Sequence, residues 1–295
     1  MVSVLIPVYN YDVCPLVIAL NEQLTAFNGA ELILCDDDSF LEFQEKNKAL
    51  SKEFSQVRYL QNSENKGRSA TRNRLADAAC NEILIFLDSD TLPCSADFVQ
   101  NYVSAFSPGA VLFGGIKYYD NPPEDANSYL RWFYGKQREE ISPEIRQTQG
   151  NRLFMTGNFC VAKSVFKTIR FNENLRQYGH EDTLFAFDLA RNQHVVKHLD
   201  NPAYHIGLES SQLFLEKTLV AVKNLHVISE MENYAEILDS VRLWRVYRKL
   251  KIFRPIFKLM FFLTKHFFEK NLSGTKPKLL YFDLYKLFAL AERCL

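Results

Sequence analysis

An α/β fold built on a mostly parallel central sheet is predicted by three features of this sequence. Short, continuous apolar runs alternate with longer stretches of helical spacing through the first 90 residues, the pattern of a sheet covered on both faces. Two of the runs end in clusters of aspartate, and an open parallel sheet binds its ligands beyond the carboxyl ends of its strands. With 47% apolar and 24% charged residues in 295, the chain can bury a sizeable core and carry an appendage, which excludes a disordered chain.

Val2 to Tyr9 is a β-rich apolar run, and Pro15 to Phe27 places Leu16, Leu20, Leu24 and Phe27 on one helical face. Glu31 to Cys35 reads as a second buried strand, stopping in three aspartates and Ser39. A helix over 41–54, a strand over 57–60 and a helix over 69–79 follow, then the strand Ile83 to Leu87, which ends in Asp88-Ser89-Asp90. Beyond Pro93 the pattern loosens. Ala110 to Gly115, Met155 to Val161 and Val195 to Leu199 read as later strands and Glu181 to Arg191 as a helix. The polar, aromatic stretch 121–149 reads as a substrate-facing loop or helix pair, and helices dominate from Ser210.

The net charge of zero conceals an asymmetry. Residues 1–210 carry 20 Lys/Arg against 27 Asp/Glu, and residues 211–295 carry 15 against 8. The six cysteines, Cys14, Cys35, Cys80, Cys94, Cys160 and Cys294, form no CxxC pair and have no His at metal-ligand spacing, so they read as reduced and structural. The N-terminus lacks a basic segment and is interrupted by Pro7, which favours a first strand over a signal peptide and a cytoplasmic setting. No run reaches the length of a membrane span.

The paired carboxylates of Asp88-Ser89-Asp90 are hard oxygen ligands suited to Mg²⁺ or Mn²⁺ shared with substrate phosphates, although Asp and Ser are also ordinary turn residues. Asp36-Asp37-Asp38 can be read as an Asx turn that closes the strand, although three adjacent acids are a costly way to make a turn. Arg72 lies one helical turn beyond Arg68, on a face that could meet a diphosphate or hold Asp88. Glu181-Asp182 opens a helix, where the dipole favours acids whatever their role.

Taken in order, Ser3-Val4-Leu5-Ile6-Pro7-Val8-Tyr9-Asn10, Asp36-Asp37-Asp38-Ser39, Asn65-Lys66-Gly67 with Arg72-Asn73, Asp88-Ser89-Asp90 and Gly179-His180-Glu181-Asp182 resemble the motifs of glycosyltransferase family 2 over residues 2–210. Asp38 departs from the small or polar residue usual in the family. The resemblance implies a GT-A, Rossmann-like catalytic domain over 1–210, with a nucleotide-sugar half about 1–115 and an acceptor half about 116–210. A basic helical extension over 211–295 completes the expected organisation. It implies that Pro7, Tyr9, Asn10, Asp36, Asp37, Gly67, Arg72 and Asp88 line a nucleotide pocket, with Asp37 accepting a hydrogen bond from the base, most plausibly uracil. Asp88 and Asp90 would hold Mn²⁺ or Mg²⁺, with His205, shortly past the acidic motif, as a further ligand. Asp182 would be the general base that activates an acceptor hydroxyl, helped by Glu181, while Gly157 and Asn158 border the acceptor sugar. The implied reaction is an inverting transfer from a nucleotide-sugar, expected to be a UDP-sugar, to a glycan or lipid-linked glycan.

Residues 242–270 hold nine Lys/Arg and one acid, interleaved with Leu243, Val246, Tyr247, Leu250, Phe253, Phe257, Met260 and Leu263. That spacing predicts one or two amphipathic helices, kinked near Pro255, lying on the inner face of a membrane or packing on protein. Nucleic acid is an unfavoured partner for so acidic a catalytic domain. Two rival readings are a catalytically silent subunit that binds nucleotide-sugar or membrane, and a sugar nucleotidyltransferase. The latter would open with a Gly-rich phosphate loop, and none follows the first strand.

Overall fold

The computed structural model describes residues 1–292; Cys294 lies outside them. In chain order the strands are β1 (Val2–Val8), β2 (Glu31–Asp36), β3 (Val57–Gln61), β4 (Ile83–Leu87), β5 (Thr91–Pro93), β6 (Val111–Phe113), β7 (Ile116–Lys117), β8 (Asn158–Ala162), β9 (Val196–His198) and β10 (Ala203–His205). The helices are α1 (Cys14–Leu24), α2 (Leu41–Glu53), α3 (Arg68–Ala78), α4 (Phe98–Ala105), α5 (Tyr129–Arg138), α6 (Pro143–Gln149), α7 (Lys163–Thr168), α8 (Glu181–Arg191), α9 (Ser211–Glu230), α10 (Arg242–Lys249), α11 (Arg254–Leu272) and α12 (Leu279–Leu290). The expected strands and helices of the first 90 residues all form, within two or three residues of their predicted ends.

The chain resolves into two compact units. The first comprises residues 1–118, 140–176 and 181–207, and the second residues 119–139, 177–180 and 208 onward. Residues 119–139, placed with the acceptor half on sequence grounds, therefore group with the C-terminal helices.

In the first unit a seven-stranded sheet has the order β3-β2-β1-β4-β8-β6-β9. The pairs β3/β2, β2/β1, β1/β4 and β6/β9 are parallel, and β8 is antiparallel to both its neighbours. Period-two alternation divides β1 between two cores. Val2, Val4, Ile6 and Val8 meet Leu16, Val17 and Leu20 of α1, whereas Leu5 joins Leu75 of α3, Phe86, Phe159 and Phe185 on the other face. Because both faces are covered, the strands read as continuous apolar runs. A small second sheet, β5-β10-β7, begins just after the turn that ends β4.

In the second unit, Tyr134 of α5 packs its ring 5.3 Å from Phe214 of α9 and 5.2 Å from Phe282 of α12. Pro255 occupies the first turn of α11 and does not kink it. The break falls before it, in a 3₁₀ turn over Lys251–Phe253, because a helix start has no intrahelical hydrogen bond for proline to disrupt. The buried face of α11 is Phe261, Phe268 and Leu272, whereas Leu263, one of the apolar positions of the predicted stripe, is exposed. Among the described residues no helix is long and apolar enough to cross a membrane.

Candidate active site

Every predicted site residue falls in the first unit, at the carboxyl ends of β1, β2 and β4, on α3 and α8, or on β8 and β10. After β1, Asn10 adopts a left-handed φ of 49°. Its backbone N–H donates to Ser39 Oγ at 2.8 Å, and its Oδ1 accepts from the Phe40 N–H. Asn10 thereby locks the ends of β1 and β2 together. Tyr9 is 53% exposed, available to a ligand, while Pro7 lies within the β1 ladder, paired with Cys35.

The three aspartates after β2 divide their tasks. Asp36 Oδ1 accepts from the Ser39 N–H at 2.8 Å, which is the Asx turn weighed above. Asp38 is exposed and takes a left-handed φ of 65°, a conformation that Asp tolerates better than most residues. Asp37 is buried and ties down the loop before α3: its Oδ1 accepts from Asn62 Nδ2 and the Lys66 N–H, and its Oδ2 from the Gly67 N–H at 2.9 Å. An ionised carboxylate has about four acceptor positions, so these three bonds leave capacity for a further donor. Gly67 has φ 85°, and a Cβ there would meet the Arg176 carbonyl oxygen at 3.3 Å, so the tight entry to α3 requires glycine.

Helix α3 delivers Arg68 and Arg72 on one face. Arg72 is 1% exposed; its Nη2 donates to Asp88 Oδ1 at 2.5 Å and its Nη1 lies 4.0 Å from Glu181 Oε1. Arg68 Nη1 approaches the same Glu181 oxygen at 3.7 Å. Burial raises the Asp88 carboxyl, but the charges of Arg72 and Arg68, helped by the Arg72 hydrogen bond, outweigh it and hold the group below the usual carboxylate range. Asp182 is pushed the other way, up to about 7, by burial first and by the adjacent Glu181 charge second, against hydrogen bonds from the Thr183 N–H and hydroxyl. Two acids within the field of one arginine thus hold opposite protonation tendencies.

Asp90 and His205 are neighbours through strand pairing: β10 runs antiparallel to β5, and the Ile206 and Gly207 N–H groups donate to the Asp90 carbonyl. His205 Nε2 lies 3.4 Å from Asp90 Oδ2. A Cβ on Gly207 would sit 2.5 Å from Asp90 Cβ, so glycine permits this approach. Among the described residues no group of three or more His, Cys, Asp or Glu side chains is arranged to enclose a metal ion. The Asp90–His205 pair nevertheless fits a Mn²⁺ or Mg²⁺ site that takes one or two protein ligands and completes its shell with phosphate and water. Asp88 reaches such a site only with the oxygen that Arg72 leaves over.

Gly157 borders the site directly, since a Cβ there would lie 3.3 Å from Asp88 Oδ2. Asn158 points elsewhere. Fully buried, it donates from Nδ2 to the Gly115 and Asn201 carbonyls and accepts from the Tyr102 hydroxyl at 2.7 Å, bracing β8 against the loops before β7 and β10.

Three supporting residues carry no role in the sequence reading, although Asn73 stands in the Arg72-Asn73 motif. Asn62 joins Asp37 to Thr71. Asn73 holds Phe171 and Glu173 on the approach to the acidic motif. In the second unit, Asn224 donates to the carbonyls of Gln177, Tyr178 and Gly179, the segment that leads into Glu181. Their partners lie 9 to 100 positions away, so no local pattern reveals these bonds.

The sequence model described as Glycosyl transferase family 2 matches residues 3–170, more than half of the chain. The chain belongs to glycosyltransferase family 2. A Campylobacter jejuni relative of this family 2 chain, GalNAc(5)-diNAcBac-PP-undecaprenol beta-1,3-glucosyltransferase, is 28% identical over 187 residues, which are 62% of this chain and 58% of the relative. The family 2 chain also shares its GT-A fold with solved structures. The Staphylococcus aureus TarS fragment 1–349 aligns over 81% of this chain and 68% of its own, with TM-score 0.53 and 18% identity. The mannosyltransferase of Pyrobaculum calidifontis, solved with GDP-Man and Mn²⁺, aligns over 76% and 63%, with TM-score 0.57 and 14% identity. The mostly parallel sheet of the family 2 chain and its C-terminal helices agree with the fold expected from the sequence, which assigns no direction to β8.

Proposed function

We propose that this chain transfers a sugar from a UDP-sugar to a hydroxyl of a glycan or lipid-linked glycan, inverting the anomeric carbon, from the cytoplasmic face of a membrane. The observation that carries the reading is the single buried guanidinium of Arg72, bonded to Asp88 and 4.0 Å from Glu181, which links the donor-side acid to the acceptor-side pair. Asp37, with Pro7, Tyr9, Asn10 and Asp36, takes the nucleotide; Gly67 and Arg72 border its diphosphate, and Gly157 the acceptor sugar. Asp182 accepts the proton of the attacking hydroxyl, a role for which a value near 7 is well matched. Glu181 orients the acceptor and keeps Asp182 basic through its charge. Asp90 and His205, with the free oxygen of Asp88, would hold Mn²⁺ or Mg²⁺, which would supply positive charge beside the diphosphate. The Campylobacter relative's lipid-linked acceptor and the basic stretch 242–270 support a lipid-linked acceptor and peripheral membrane contact.

Calorimetric titration with UDP and GDP, each with Mn²⁺ and with EDTA, tests the donor side. Metal-dependent UDP binding that disappears in Asp90→Ala is the expected result; binding of neither nucleotide under any condition refutes the proposal.

A further inference from the structure

Helix α11 has two apolar faces. The inner one, Phe261, Phe268 and Leu272, is buried, with Phe261 against Tyr285 and Phe268 against Tyr281 of α12. Ile256, Leu259, Leu263 and Phe267 recur at i, i+3, i+7 and i+11 and, at about 100° per residue, fall within about 80° of one another on the opposite side. They are 54%, 57%, 62% and 56% exposed, and the adjacent Phe262 is 82% exposed. Single exposed apolar residues are ordinary, but four within one arc of about 80°, with Phe262 about 60° to its side and the polar His266 and Lys270 among them toward the helix end, on a helix that already has a core-facing side, mark an interaction surface.

The charges around this line indicate what covers it. Lys258 and Lys265, seven residues apart, run along the flank next to Phe262 and are exposed, and Lys251, also exposed, lies in the 3₁₀ turn that precedes the helix. Glu269, the single acid in 242–270, is occupied by the Tyr285 hydroxyl at 3.0 Å and by Lys265 at 3.9 Å. In an antiparallel two-fold pairing on this face the same flank of each copy comes together, which would set lysines against lysines. An anionic lipid surface accepts both features, aliphatic and phenyl groups in the acyl boundary and ammonium groups at the phosphates.

We propose that α11 lies in the plane of an anionic membrane surface through its outer face, with Phe262 and Leu263 as principal anchors and Lys258 and Lys265 reading headgroup charge. This deepens the membrane contact in the transferase reading, on which it rests, yet its test is independent of transfer. The full chain is sedimented with vesicles of phosphatidylcholine alone and with vesicles containing phosphatidylglycerol, at low and high salt. Binding to the phosphatidylglycerol vesicles, weakened by salt, is expected. The double variant Phe262→Ser/Leu263→Ser should lower the partition coefficient by about tenfold or more per side chain. Lys258→Glu/Lys265→Glu provides a second variant that leaves the apolar line intact and should abolish the preference for anionic vesicles. Failure of the wild type to sediment with either vesicle overturns the proposal, as does unchanged binding in both variants. A concentration-dependent dimer that Phe262→Ser/Leu263→Ser dissociates would assign the face to a second copy instead. UDP titration with Mn²⁺ on the same samples separates the two questions: absence of UDP binding in the wild type counts against the transferase reading and leaves the vesicle result standing.

Discussion

Replacing Asp182 by Asn should make the protein more stable at alkaline pH while sharply slowing transfer. The Asp182 carboxyl titrates near 7 in the folded chain against an ordinary 3.8, because burial and the Glu181 charge disfavour its ionised form. A folded value above the unfolded one means that the native state binds this proton more tightly. The resulting stabilisation is complete below about pH 4 and is lost as pH rises through 7. A difference of about three units corresponds to about 4 kcal/mol. Asn has no proton to lose, and its Oδ1 can accept the same Thr183 N–H and hydroxyl bonds, 2.7 and 3.2 Å long in the wild type. Urea unfolding of the two proteins from pH 4 to 9 should therefore give a stability difference that grows in favour of the Asp182→Asn variant by about 1.4 kcal/mol per pH unit up to 7, then levels off. Transfer by the variant should fall by about 10²–10⁴-fold, the usual contribution of a general base. A stability difference that is flat with pH, or one that favours the wild type as pH rises, would refute the account of Asp182 as a desolvated, destabilised acid. Such an acid illustrates the trade between stability and activity at functional sites.

Arg72→Met should deprive Asp88 of its closest cation, costing about 3 kcal/mol in urea unfolding, and should weaken UDP binding in the presence of Mn²⁺. Asn158→Leu keeps the volume but removes the amide donor to the Gly115 and Asn201 carbonyls and the Oδ1 that accepts from the Tyr102 hydroxyl, leaving the Asn201 carbonyl without that bond. It should cost about 2–4 kcal/mol, measured as a lower urea midpoint with an unchanged slope.

The elements of the first 90 residues were legible in the sequence because what specifies them is local. Strand-length apolar runs, helical spacing and strand-ending aspartates are read within a window of a dozen residues, and together they determined the family, the parallel sheet and the acids at its carboxyl edge. Arg72 and Asp88 were legible as partners, being 16 positions apart on consecutive elements. The proximity of Arg72 to Glu181 was decided by tertiary structure, since the two residues are 109 positions apart and meet only where α8 packs its first turn near α3. The same holds for Asn158, which sequence put at the acceptor's edge and the fold buried, because whether an amide faces a ligand or three backbone and side-chain groups depends on strands that pair only after folding. The outer face of α11 is the last such case. Periodicity alone shows that a helix is apolar on more than one side, and only the packing of Phe261 and Phe268 against α12 decides which side is left to meet something else.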